Sequence, residues 1–107
     1  PYDSWAHRVA IHRFVQDIPL RSSHPSYPDL LALEQGLEQF RDHPVLLVWG
    51  ERDWCFTPVF LAEFQQRFPD AQTLSLPDAG HFVFEDAPEE LVDRVRQFLG
   101  RHAEADT

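Results

Sequence analysis

The run Val45-Leu46-Leu47-Val48-Trp49 is apolar at every position and stops at Gly50. A strand with one wet face alternates apolar and polar residues, whereas a strand covered on both faces does not. Launched by the helix-breaking Asp42-His43-Pro44, this run predicts a strand over 45–49 in a parallel sheet flanked by helices. The next residues fit that architecture. Thr57-Pro58 is a helix start, a capping hydroxyl followed by proline at the first helical position. Phe60, Leu61, Phe64 and Phe68 then share one inward face of a helix over about 58–68, closed by Pro69-Asp70. Gln72-Thr73-Leu74-Ser75-Leu76 alternates and predicts a second strand over 72–76. Strand, helix and strand with a connection of this length make a right-handed βαβ unit with parallel strands.

Three further helices are expected around it. Asp3 or Ser4 caps one over about 4–16, with Trp5, Val9, Ile11, Phe14 and Val15 as a broad apolar face. Asp17-Ile18-Pro19 ends it, because the residue before proline is pushed out of the helical region. Arg21 to Tyr27 reads as an exposed connection, and His24 as a surface loop residue. Asp29 caps a helix over about 29–41, whose Leu30, Leu33, Leu37 and Phe40 mark one buried stripe. Asp86 caps the last helix, over about 87–99, with Pro88 in its first turn and Glu89 placed as in a capping box. Leu91, Val92, Val95, Phe98 and Leu99 are expected to face the sheet, Gly100 to end the helix, and 101–107 to be a frayed tail.

Composition excludes several classes of function. With 107 residues the chain is one domain or a piece of one. A net charge of -9 disfavours nucleic acid or an anionic membrane as partner, since both require clustered Lys and Arg. There is no apolar run near the length of a membrane span and no signal-peptide pattern. Cys55 stands alone, so no internal disulfide is possible and a reducing, cytoplasmic setting is favoured. His7, His12, His24, His43 and His102 show no metal-ligand spacing apart from the i, i+5 pair His7 and His12, which a helix turns apart, and no metal or cofactor is assigned. The first residue is Pro1, which fits a chain cut from something longer.

The chemistry lies at the strand ends. In open parallel sheets, working residues sit in loops at the carboxyl ends of strands. Asp53 follows the first strand, and His81 follows the second within Pro77-Asp78-Ala79-Gly80-His81-Phe82. A carboxylate on one imidazole nitrogen fixes the tautomer and stabilises the imidazolium formed when the other nitrogen takes a proton. Each residue also has a plainer reading: His81 as a turn or helix-start histidine, and Asp53 as a turn carboxylate before Thr57. Asp78 suits a turn. Trp54 and Phe82 flank the pair and either line an apolar pocket or pack into the core, while Cys55 reads as a buried, inert thiol.

Trp49-Gly50-Glu51-Arg52-Asp53 and Asp78-Ala79-Gly80-His81-Phe82 resemble, in order and spacing, the acid and histidine motifs of the α/β-hydrolase family. The run Gly80-His81-Phe82-Val83-Phe84-Glu85-Asp86-Ala87-Pro88-Glu89 is similar to the haloalkane-dehalogenase and epoxide-hydrolase branch. So is the lead-in from Arg8 to Pro19, which looks like the segment by which that branch leaves its helical cap. The resemblance implies a partial α/β-hydrolase fold over 1–100, its carboxyl-terminal third, with 1–28 as cap exit and connection. It implies Asp53 as acid and His81 as general base of a nucleophile–His–acid triad. The whole enzyme would hydrolyse a small, mostly apolar molecule such as a haloalkane, epoxide, lactone or ester, without a cofactor.

The family's nucleophile sits in a G-x-S-x-G or G-x-D-x-G elbow. Neither pattern occurs here, and Ser4, Ser22, Ser23, Ser26 and Ser75 all lack it. This chain alone is therefore expected to be inactive, with its first strand open on one side. Self-association or pairing with the amino-terminal part of the fold is expected. The alternative is a non-catalytic binding or assembly module that keeps the βαβ scaffold.

Overall fold

The computed structural model describes residues 2–103, and the chain divides into two compact units, Pro1–Gln39 and Phe40–Thr107. The second unit holds the predicted βαβ. Strand β1 (Leu46–Gly50) runs parallel to β2 (Gln72–Leu76), in a register that sets Leu46 beside Gln72 and Gly50 beside Leu76. The strand is shifted by one residue from the expected 45–49: Val45 lies before it and Gly50 closes it, since the next residue, Glu51, still donates its N–H to the Leu76 carbonyl at 3.0 Å. Between the strands runs α3 (Pro58–Arg67). It starts where expected, although the Thr57 hydroxyl makes no capping hydrogen bond. It stops one residue early, because Phe68 precedes Pro69 and takes a non-helical φ of -123°.

After β2 come a single helical turn, α4 (Val83–Asp86), and the long α5 (Pro88–Ala103). The short turn corrects the expected role of Asp86. It closes α4 instead of capping α5, and the first intrahelical bond of α5 goes to the Ala87 carbonyl, from the Leu91 N–H at 3.1 Å. Gly100 does not end α5. No described glycine has the left-handed backbone that a helix-ending glycine adopts, so the helix runs through it. Of the expected tail, 101–103 are helical and 104–107 lie outside the described residues.

The core is small: Leu47, Leu61, Phe68, Leu76, Ala79 and Leu91 are its buried apolar residues. Phe60, Val92 and Leu99, expected to face inward, are exposed. Two strands about 4.8 Å apart make a sheet barely as wide as one helix, roughly 10 Å across, so only the central line of each helix is covered.

The first unit is helical, with α1 (Trp5–Gln16), α2 (Tyr27–Gly36) and a 3₁₀ turn (Leu37–Phe40) that continues into the second unit. Helix α2 starts at Tyr27 with Pro28 in its first turn, so Asp29 lies inside it and does not cap it. Neither α1 nor α2 has a buried residue, and Leu30, Leu33 and Phe40 of the expected stripe are exposed. Periodicity marks their apolar faces, but the unit supplies no second layer to cover them. His24 is half-buried and organises its loop: Nε2 meets Asp17 Oδ1 at 3.1 Å, and Nδ1 accepts the Ser26 N–H at 3.1 Å.

Candidate active site

Both strand ends of the second unit open into loops that are fastened to each other. Beyond Glu51, the Arg52 N–H donates to the Ala79 carbonyl at 3.0 Å. The Arg52 guanidinium reaches Asp78 Oδ1 at 2.6 Å, and the Ser75 hydroxyl donates to Glu51 Oε1 at 2.7 Å. Trp49, the last bulky residue of β1, donates its indole N–H to the Phe56 carbonyl at 2.7 Å and so ties the far side of the first loop to the strand.

These links deliver Asp53 and His81 to one place. The imidazole Nδ1 lies 3.1 Å from both carboxylate oxygens of Asp53. Asp53 Oδ1 also accepts the N–H groups of Cys55 and Phe56, each at 2.8 Å. The plainer reading of Asp53 as a loop-capping carboxylate is thus true as well, and the same oxygen serves both purposes. With its side chain 8% exposed against 28% for His81, the carboxylate is the enclosed member of the pair. Burial pushes the Asp53 carboxyl up, but the Phe56 and Cys55 N–H groups and the His81 imidazole together outweigh it. The net result is a pKa below the ordinary value of 3.8.

An ionised carboxylate only accepts hydrogen bonds, so the Nδ1 it touches must carry the proton. In the neutral imidazole this leaves the lone pair on Nε2, which makes no hydrogen bond among the described residues. Nε2 is therefore the nitrogen available to take a proton.

Three aromatic rings surround the imidazole, with centroids at 6.0 Å for Trp54, 5.4 Å for Phe56 and 5.1 Å for Phe82. Trp54 is 80% and Phe82 64% exposed, so neither packs into the core. Phe56 escapes sequence reasoning because it lies outside both strand-end motifs. Cys55 is exposed, contrary to the expectation of a buried thiol: the turn around Asp53 directs its backbone N–H inward and leaves the side chain outside.

Two further residues carry signals readable only in part. Gly50 ends β1 against the loop before His81. A Cβ built on it would lie 2.3 Å from the Gly80 oxygen and 2.6 Å from the Ala79 oxygen. A glycine at a strand end just before Asp53 is visible in the sequence, but not the backbone it faces. Asp86 Oδ2 accepts the Gly80 N–H at 2.7 Å.

With this geometry in view, similarity to known proteins is informative. Residues 5–88 match the family model described as alpha/beta hydrolase fold. A cis-3-alkyl-4-alkyloxetan-2-one decarboxylase of Xanthomonas campestris is 42% identical over 102 residues, covering 95% of this chain and 34% of the relative. A protein of the same name from Shewanella oneidensis is 35% identical over 99 residues, covering 92% of this chain and 31% of the relative. Haloalkane dehalogenase 2 of Mycobacterium bovis is 36% identical over 58 residues, covering 53% of this chain and 20% of the relative. The chain thus spans about a third of the length of the two decarboxylases it matches. It belongs to the α/β-hydrolase fold family.

Proposed function

We propose that Asp53 and His81 are the acid and general base of a nucleophile–His–acid triad, and that the nucleophile, a Ser or an Asp, lies outside these 107 residues. One observation carries the reading: Nδ1 lies 3.1 Å from both carboxylate oxygens of Asp53, and Nε2 has no hydrogen-bond partner among the described residues. If the nucleophile is Ser, Nε2 takes the hydroxyl proton as the oxygen attacks the substrate carbonyl. If it is Asp, Nε2 takes a proton from the water that hydrolyses the ester intermediate, and later returns it to the leaving oxygen. Asp53 orients the ring and balances the imidazolium throughout.

Trp54, Phe56 and Phe82 form an apolar surround to the imidazole, suited to a small, mostly apolar substrate. A haloalkane, epoxide, lactone or ester would meet that description. The oxetan-2-one named for two relatives favours a strained lactone bearing alkyl groups. An exposed, unpaired Cys55 is consistent with a cytoplasmic setting.

The test uses a longer protein that contains these residues together with a nucleophile elbow. His81→Ala should lower turnover of a p-nitrophenyl ester, a lactone or a haloalkane by about a hundred- to ten-thousand-fold. The 107-residue chain alone should show no turnover above its own His81→Ala background. Unchanged turnover in the longer His81→Ala protein would refute the role of His81. Turnover by the short chain, abolished by His81→Ala, would refute the external nucleophile.

A second reading, a non-catalytic assembly module, is favoured by one observation. Strand β1 is paired only with β2 among the described residues, so its other edge offers free backbone groups to a partner. Binding without turnover in the longer protein would select it.

A further inference from the structure

We propose that Asp86 is a positioning residue for the His81 imidazole, an inference that rests on the acid–base reading of Asp53 and His81. Its Oδ2 accepts the N–H of Gly80, the residue directly before His81, at 2.7 Å. A carboxylate on a backbone amide makes a charge-assisted bond, roughly twice as strong as a neutral one. The bond closes a ring of backbone around the histidine. Asp86 ends α4, in which the Glu85 and Asp86 N–H groups donate to the Phe82 carbonyl at 2.9 and 3.0 Å. His81 thus has an anchored neighbour on each side. One residue further back, Ala79 is buried and its carbonyl is held by the Arg52 N–H.

The pair has little slack. At 3.1 Å from both carboxylate oxygens, Nδ1 sits near the long end of the N–H···O range, about 2.7–3.2 Å. A drift of a few tenths of an ångström at Gly80 would pass to His81 and take Nδ1 out of reach. Asp86 is itself exposed and gains nothing from burial, and it does not cap α5. Its one described side-chain bond is the one that holds the histidine loop.

The experiment is ¹H–¹⁵N spectroscopy of the His81 ring in the labelled 107-residue chain, comparing wild type with Asp53→Asn, Asp86→Ala and Asp86→Asn. The Asp53→Asn arm tests the underlying reading. If the wild-type preference for a proton on Nδ1 survives it, the acid–base pair fails whatever Asp86 does. If that preference is lost, the Asp86 arms decide the inference. Asp86→Ala should move the ring signals toward those of Asp53→Asn and speed exchange of the Nδ1 proton on the order of tenfold, as loss of a charge-assisted bond implies. Asp86→Asn, which keeps an oxygen for the Gly80 N–H, should fall between wild type and Asp86→Ala. The Cys55 and Phe56 amide signals, which report their bonds to Asp53, should stay in place. If Asp86→Ala does not fold, the partial shift in Asp86→Asn decides. Wild-type ring signals in whichever variant folds, or global unfolding of both, would overturn the proposal.

Discussion

Gly50→Ala is the substitution for which the structure supplies a magnitude. The added Cβ would lie 2.3 Å from the Gly80 oxygen, about 1.1 Å inside ordinary contact at 3.4 Å, with the Ala79 oxygen and carbonyl carbon at 2.6 and 2.8 Å. All three atoms are backbone, so no side-chain rotation relieves the clash. The 79–80 segment must move by about an ångström, and it is held by the Arg52 N–H on one side and by Asp86 on the other. Overpacking of this kind costs about 1–3 kcal/mol. The same movement carries His81 away from Asp53 and lengthens the contacts of Nδ1 with the carboxylate. Overpacking alone, a loss of about 1–3 kcal/mol, lowers Tm by on the order of 10 °C for a chain this size. Urea titration of the wild type and Gly50→Ala, fitted with a common m value, measures it. A loss under about 0.5 kcal/mol with unmoved His81 ring signals would refute the idea that the bare Cα of Gly50 sets the spacing of the pair.

Two other outcomes are expected. The folded-state pKa of Asp53 lies below its ordinary value of 3.8, so its ionised form adds stability above that value, lost as pH falls through the depressed folded one. Between about pH 5 and pH 2 the urea midpoint of the wild type should fall more steeply than that of Asp53→Asn, and equal slopes would contradict the assignment. The open edge of β1 and exposed apolar side chains such as Phe14, Leu20 and Leu33 should make the isolated chain self-associate. Sedimentation that shows a monodisperse monomer would contradict this.

The meeting of Asp53 and His81 is legible in the sequence because it comes from topology. Two parallel strands joined by a helix must end on the same side, so a carboxylate just past one and an imidazole just past the other fall within reach. Helix starts at Pro58 and Pro88 are legible for a similarly local reason, a fixed proline φ. Burial is not. Periodicity shows which side of α2, α3 or α5 is apolar, but whether another layer lies opposite is a property of the whole fold; hence the exposed Leu33, Phe60 and Leu99. Asp86 misleads because a carboxylate two residues before a helical proline looks like a cap until the turn of α4 carries it back to Gly80. Gly50 reads as a strand end, while the steric need for it lies in distant backbone, at Ala79 and Gly80.

A double-mutant cycle tests the central claim most directly. Turnover is measured for the longer protein, its Asp53→Asn and His81→Ala variants, and the combination. Groups that act as one unit are strongly non-additive. The double variant should therefore be about as slow as His81→Ala alone, because a carboxylate that works only through the imidazole has nothing left to orient. Rate losses that simply multiply would show Asp53 and His81 acting independently, and would contradict the account.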